Sequence, residues 1–458
     1  MQHPVIGSFA SIEEAAAGLT RALEQYQRDT PQSLRLEAII PDTDPLAWLS
    51  YHDHLIRMYC SNRERRLQIA AMGCADMLRY KDEDVTLREA LDYVFANVKQ
   101  LPEGMRYYGG MRFQEENRSG DSTWARFGRV RFVLPAIELI RDEKASRLAI
   151  NLVASPEIER NLHLLKLQLT PMMTPPKLEA AHLPAPLGRV NLPEQNAWHG
   201  MVCAAQAAMS KGRMDKVVLA RRCAFDFEDR LMPMALLQRL YECTPDSFHF
   251  SFNYGNEIAF IGASPERLYH RQGTRIRTEA LAGTRPRGAS EDDDAWLASA
   301  LKASSKERRE HALVVEAITE TLREYSHDVR KSNEPDILKL SHVQHLHTVI
   351  EAELNSPFSD ADLLTALHPT PAVGGTPKSA ALQHIAEAEP FDRGWYAGPI
   401  GWVMKDEVEF AVAIRCALVE GSRLSLFSGA GIMPDSDPEQ EWREIESKIG
   451  NFVRILTS

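Results

Sequence analysis

The chain has 458 residues, of which 44% are hydrophobic and 26% charged, and its formal net charge is −11 at pH 7. That balance belongs to a folded globular protein with a sizeable core and excludes a disordered class. The negative charge argues against a nucleic-acid or anionic-membrane surface while leaving room for a local basic pocket that takes an anionic small molecule.

A helix is predicted over 11–27, with Ser11 as its cap and Glu14 in the reciprocal capping position. Residues 107–139 hold Y-Y-G-G-M-R-F and then W-A-R-F-G-R-V-R-F-V-L-P-A-I-E-L. The alternation of apolar and basic residues predicts antiparallel strands with one face buried and one wet. Pro171, Pro175, Pro176, Pro184, Pro186 and Pro193 then interrupt all periodicity. This break divides an N-terminal α+β subdomain, 1–190, from a second domain, 191–458. Beyond it the pattern predicts a helix near 197–211, a strand from Lys216, a helix near 232–243 and a strand pair F-H-F-S-F-N-Y-G-N-E-I-A-F-I-G-A. A long helix over 305–325, a closing strand pair and a C-terminal helix follow. No βαβ rhythm is present, so the class is α+β with mostly antiparallel sheet.

The six cysteines show no C-x-x-C pair, which suits reduced thiols. No apolar run reaches about 18 residues and the N-terminus lacks a signal-peptide pattern. A cytoplasmic location is expected, with no nucleic-acid or membrane partner and a monomeric or weakly homodimeric state.

Two acid pairs carry the strongest chemical signal: Glu307/Glu310 in S-S-K-E-R-R-E-H and Glu441/Glu444 in P-E-Q-E-W-R-E-I-E-S-K. Helical residues three apart are separated by about 60° around the axis, so each pair points one way. Two such helices face to face would offer oxygen ligands to a hard divalent cation, Mg²⁺ above all. Lys448 lies on the same stripe as Glu441 and Glu444. Each motif read alone is more simply an ion-paired, solvated helix face.

Lys216 opens a strand, where partial burial would lower its pKa and let it act as a base; a lysine guarding a strand edge is the plainer alternative. Glu266, in I-G-A-S-P-E-R-L-Y, follows an apolar strand and can hold a proton in dry surroundings, or pair with Arg267 or Arg285. Gly283 and Thr284 are expected in a turn able to hold an anion beside Arg285 and Arg287. Arg415 falls inside an apolar strand, where a guanidinium needs an anion. Gly429, Ala430 and Gly431 form a small-residue loop that a ligand carboxylate could approach. A transition-metal hydrolase using His342, His345 and His347, or His52 and His54, lacks the H-E-x-x-H pattern. The acidic run from Glu291 to Asp294 reads as a solvated helix start.

The motifs K-V-V-L-A-R, G-A-S-P-E-R-L, L-A-G-T-R-P-R-G, S-K-E-R-R-E-H, H-P-T-P-A-V-G-G-T-P, D-R-G-W-Y-A-G-P-I-G, A-I-R-C-A-L and G-A-G-I…D-P-E-Q-E-W-R-E…K span residues 216–448. In their order and spacing the chain resembles the chorismate-utilising enzymes: isochorismate, salicylate, anthranilate and aminodeoxychorismate synthases. Residues 1–195 resemble the more variable N-terminal part of that family, most visibly at Y-G-G-M-R-F. The resemblance implies the anthranilate synthase component I-like fold, with large antiparallel sheets in a central core and helices outside.

It also implies roles. Lys216 would activate water to attack carbon 2 of chorismate, and Glu266 would protonate the hydroxyl leaving carbon 4. Mg²⁺ would be held by Glu310 and Glu444 with Glu307 and Glu441 close by. Tyr396, Arg415, Gly431 and Lys448 match carboxylate-holding positions, and Gly283, Thr284 and His345 match pocket positions. The ammonia-using members usually carry Gln in place of Lys216, and Ala282 replaces the nucleophilic Lys of aminodeoxychorismate synthases. Ala372 matches isochorismate synthases, where salicylate synthases tend to have Thr. Isochorismate release without pyruvate loss is therefore expected, with salicylate synthase and then anthranilate synthase component I as the alternatives. Length and N-terminal extension favour the menaquinone-type enzyme over the shorter siderophore ones.

Overall fold

The computed structural model describes residues 5–25, 32–52, 54–80, 85–115, 122–177, 184–255, 257–340 and 343–457. Their strands gather into two large sheets, one of thirteen strands and one of ten among the described residues. Every pairing is antiparallel except Val5–Ser8 with Leu34–Ile40. Helices pack outside: Ser305–Tyr325 against the strands Arg275–Pro286 and Val343–Leu354, and Pro438–Thr457 against Arg423–Ile432. The expected α+β class is the observed one. No helix of the described residues is long and apolar enough to cross a membrane.

Both sheets take strands from each side of residue 190. Ile56–Ser61 pairs with Phe248–Tyr254 in the larger sheet, and Tyr107–Met111 pairs with Pro399–Val403 in the smaller. One cluster of buried apolar side chains runs from Ile12 to Ile455. The segments 1–190 and 191–458 thus share their sheets and their core.

The first helix covers Ile12–Glu24, and Gln27 lies outside the described residues. The Ser11 hydroxyl accepts from the Glu14 N–H at 3.2 Å, while the Glu14 carboxylate accepts from Ala10 rather than from Ser11, a modified capping box. A second expectation is corrected at Tyr107–Met111 and Val130–Leu134, which are buried at every position rather than wet on one face. Arg126 stays exposed, but Arg112 and Arg129 are buried against the carboxylates of Asp392 and Glu115. Arg131 lies with its guanidinium 3.7 Å from the Tyr254 ring and donates to the Arg126 carbonyl at 2.6 Å.

One corner of this architecture positions the rest. The strand Ile258–Ser264 belongs to the larger sheet and continues through Pro265 and Glu266 into Arg267–Gln272 of the smaller. Beside it Glu407–Val412 leaves the smaller sheet and enters the larger as Cys416–Glu420. The two chains stay paired on both sides of the switch. At the switch itself the Ser264 hydroxyl donates to the Val412 carbonyl at 2.6 Å. The Val412 N–H donates to the Glu266 carbonyl, and the Ala263 N–H to the Arg415 carbonyl, both at 3.0 Å. Arg415 makes the bend with φ 51, a conformation costly for a side chain of its size. It therefore sits at a sheet crossover and not inside a strand, as the apolar run around it had suggested.

The sheets are tied together by a buried polar cluster. Glu138, fully buried in the larger sheet, accepts from Arg35, from Asn151 at 2.8 Å and from the Tyr108 hydroxyl of the smaller sheet. Burial pushes the Glu138 carboxyl up, but Arg35 holds it below the usual carboxylate range. Replacing Glu138 by Ala strands these donors, and stability should fall by about 3 kcal/mol, read as a lower denaturant midpoint.

Candidate active site

A polar pocket opens at the crossover corner, and residues far apart in the chain converge on it. Glu266 and Arg415 come from the two switching chains, Ala372 and Tyr396 from the loops between helices and strands, and Glu307, Glu310, Glu441, Glu444, Lys306 and Lys448 from two helices. Lys216, the first residue of the strand Lys216–Asp226, is completely buried behind this wall. Its Nζ lies 2.9 Å from Glu310 Oε1, at an angle that does not make a hydrogen bond.

That strand pairs with Arg423–Ile432 in the register Val218 to Gly431, Leu219 to Ala430 and Ala220 to Gly429. The small residues thus form a strand and not the loop expected from their composition. Alternation turns Gly429 and Gly431 to the pocket, while Ala430 is buried and does not line it. A Cβ at 431 would come within 2.6 Å of Glu310 Oε1 and 3.1 Å of Lys216 Cε, so close approach of these two groups needs glycine.

The two acid pairs project from Ser305–Tyr325 and Pro438–Thr457 into the same pocket. Three of the four carboxylates also meet a donor. Glu307 accepts from Arg285 at 2.8 Å and from the Thr284 N–H at 3.3 Å. Glu441 accepts from the Ser436 hydroxyl at 2.8 Å and lies 3.5 Å from Lys306 Nζ. Glu444 is 2.6 Å from Lys448. Burial raises Glu307 and Glu441 above the usual carboxylate range, and the neighbouring Glu310 and Glu444 raise them further; burial also acts upward on Glu444, but Lys448 holds it below. Among the described residues no three His, Cys, Asp or Glu side chains form a finished ion cage. What the two helices contribute is four neighbouring carboxylates, an oxygen donor set that fits a hard cation, with Lys306 and Lys448 beside them.

The stretch holding Gly283 and Thr284 lies within the strand Arg275–Pro286, where the register shifts between Ala282 and Thr284 and Gly283 takes φ 78. It is a bulge and not the expected anion-binding turn; its Thr284 N–H is directed to Glu307, and Arg287 is taken by Asp294. Asp294 is buried, which corrects the reading of 291–294 as wholly solvated. Arg287 and Lys339 hold its carboxyl far below the usual range.

His345 stands opposite the bulge, its Nδ1 3.0 Å from Thr284 Oγ1 and its Nε2 without a partner among the described residues. Burial, with Arg415 and Lys448 nearby, lowers its pKa to about 3, so the ring is neutral at pH 7. His347, two residues on, lies 3.2 Å from Glu279, and His342 lies outside the described residues. Tyr396 stacks on Phe427 at 5.3 Å, and Lys448 donates to the Gly429 carbonyl at 2.9 Å. The Arg415 side chain has no hydrogen bond or ion pair among the described residues, although it lines the pocket.

Glu266 is 3% exposed. Burial raises its pKa to about 8 against the opposing pull of Lys216, so it carries its proton at pH 7. Neither partner suggested by its neighbours in sequence takes it: Arg267 binds Glu279 and Glu409, and Arg285 binds Glu307. Lys306, which adds a cation beside Glu441, escaped the sequence reading because S-K-E at a helix start reads as an ordinary surface pattern.

The family described as chorismate binding enzyme matches residues 18–457. A salicylate biosynthesis isochorismate synthase of Pseudomonas aeruginosa is 34% identical over 464 residues, spanning 100% of this chain and 95% of that protein. The solved structure of MenF, the menaquinone-specific isochorismate synthase from Escherichia coli, has a TM-score of 0.87 at 29% identity, covering 97% of this chain and 99% of its own. Anthranilate synthase component I from Streptococcus pneumoniae shares the fold with a TM-score of 0.71 at 23% identity, over 85% of this chain and 92% of that one.

An infrared titration should find a protonated carboxyl at pH 7 that disappears with a midpoint near 8 and is missing from Glu266→Gln. Its absence from the unsubstituted protein would show that Glu266 is ionised.

Proposed function

The chain belongs to the chorismate binding enzymes, and on that premise we propose that it is an isochorismate synthase whose acid and base are Glu266 and Lys216. The observation that carries the assignment is the meeting of a buried amine and a proton-bearing carboxyl with four further carboxylates around one pocket.

In this reading the Lys216 amine takes a proton from water as the water oxygen bonds to carbon 2 of chorismate. The ring double bonds shift, the bond from carbon 4 to oxygen breaks, and Glu266 gives its proton to the departing hydroxyl, which leaves as water. One water enters and one leaves, so the product is an isomer. Arg415 and Lys448 supply cations for the substrate's carboxylates, with Tyr396 and the glycine edge at 429 and 431 shaping their approach. The neutral His345 offers Nε2 for a hydrogen bond to the ligand, and Gly283 and Thr284 close the opposite wall.

Glu310 and Glu444 would hold Mg²⁺, with Glu307 and Glu441 alongside. A divalent cation held there would supply positive charge for the ring carboxylate of the substrate. Ala282 offers no nucleophile for a covalent adduct, which supports water as the attacking group. Ala372 places only a methyl group in the wall, which supports release of isochorismate with its enolpyruvyl group intact. Menaquinone biosynthesis is the destination favoured by the likeness to MenF, and siderophore biosynthesis is the other.

Incubation with chorismate and Mg²⁺ should yield isochorismate by chromatography. Salicylate with pyruvate, or anthranilate when ammonia is supplied, would select a different branch. Lys216→Ala and Glu266→Gln should each lower turnover by about 100-fold or more, and a near-normal rate in either removes that residue's role. Because Glu266 must be protonated to act, the rate should fall as pH rises through about 8. Glu444→Ala should raise the Mg²⁺ requirement sharply or abolish activity; an unchanged requirement places the metal elsewhere.

A further inference from the structure

Next to Glu266 lies a buried cluster of charges that the mechanism has not used. Glu279, on the strand Arg275–Pro286 two residues before the pocket residue Leu281, is 3% exposed. Its carboxylate accepts from Arg63 and from Arg267 at 2.9 Å, and His347 Nε2 lies 3.2 Å away. Arg267, the residue after Glu266, also binds Glu409 at 3.1 Å, and both arginines lie over the Phe248 ring at 5.2–5.3 Å. Removing such charges from water is expensive, and well-packed apolar side chains of like volume commonly serve stability equally well or better. The fold alone does not call for the cluster.

Its placement suggests what does. Arg267 ties the backbone beside Glu266 to Glu279, while the Glu266 N–H donates to Ser264 Oγ at 3.2 Å and its carbonyl accepts from Val412. Glu266 is thus held in place on both sides. The groups that act on its carboxyl are the Lys216 amine from Lys216–Asp226, the Glu279 carboxylate from Arg275–Pro286, the Thr370 hydroxyl, and the Arg63 guanidinium from the turn after Ile56–Ser61. Glu279 opposes ionisation of Glu266, while Lys216, Thr370 and Arg63 favour it. Burial pushes Glu279 upward, but His347, Arg63 and Arg267 bring its own pKa down to about 2, so its charge is permanent across the working range.

We propose that Glu279 is a positioning residue for the reaction: clamped by Arg63 and Arg267 in a buried cluster that adjoins Glu266 through the Arg267 backbone, it presents a fixed negative charge to the acid, with Arg63 of the N-terminal 190 residues as the opposing charge. The N-terminal segment then acts on the chemistry and does more than cover the core. This rests on Glu266 being the acid, and the test separates the two claims.

Two measurements on the full-length enzyme are needed, the infrared titration of Glu266 and the alkaline limb of the rate against pH. Glu279→Gln should move both to lower pH by roughly one unit, and Arg63→Gln should move both to higher pH. A purely structural role would shift neither midpoint, or shift both variants the same way, and either result overturns the proposal. If the infrared midpoints move in opposite directions while the rate limb stays put, Glu266 is not the acid, and Glu279 tunes a carboxyl that the reaction does not use. Should Glu279→Gln fail to fold, Arg63→Gln, which keeps the contacts of Glu279 with Arg267 and His347, carries the test: a midpoint at or below the unsubstituted value overturns the proposal.

Discussion

The paired crossing of two antiparallel chains from one sheet to the other is the constraint on which this protein depends. Ser264, Val412, Glu266, Ala263 and Arg415 are tied there by backbone and hydroxyl hydrogen bonds, so a carboxyl and a guanidinium are delivered to one corner with their backbones fixed. Strands that switch sheets need a bend, and at a bend side chains stop alternating between two buried faces and can face a cavity. The positive φ of Arg415 is the local cost of that arrangement. The strand beginning at Lys216 and the glycine edge at 429 and 431 then complete the floor.

The electrostatics of the pocket follow from how dry it is. Two carboxyls in one protein take opposite states because their surroundings differ. Glu266 has burial and Glu279 against it and keeps its proton, while Glu279 has two arginines and gives its proton up. On the helices, burial and crowding raise Glu307 and Glu441, while Lys448 keeps Glu444 low. Burying so many charges in one pocket is costly unless each meets a counter-charge.

The sharing of both sheets between the two halves of the chain has the same physical root. A strand at a sheet edge leaves a row of unpaired donors and acceptors, and here Ile56–Ser61 and Tyr107–Met111 cover the edges that the later strands would otherwise expose. The tie through Tyr108, Glu138, Arg35 and Asn151 then joins the sheets in a region with no water to satisfy those groups. Arg63 reaches Glu279 only because the first half of the chain is built into the same core as the second.

Spacing along a helix is a local property, so the acid pairs at 307/310 and 441/444, the stripe that adds Lys448, and the strand start at Lys216 were all legible in the residues themselves. So was the α+β class, because periodicity of two or 3.6 needs no distant partner. Other features depended on which surfaces meet. Arg131 read as part of a wet face because a sequence cannot show that an aromatic ring of the other sheet lies over it. Arg415 read as a strand interior because the switch between sheets is made by pairing, not by composition. Gly429 to Gly431 read as a loop because a strand of small residues is recognisable only when its partner, here the strand of Lys216, is beside it. Glu279 left no mark at all: its charge state and its reach to Glu266 come from arginines 216 and 12 residues away in the chain, which only tertiary packing brings to the same carboxylate.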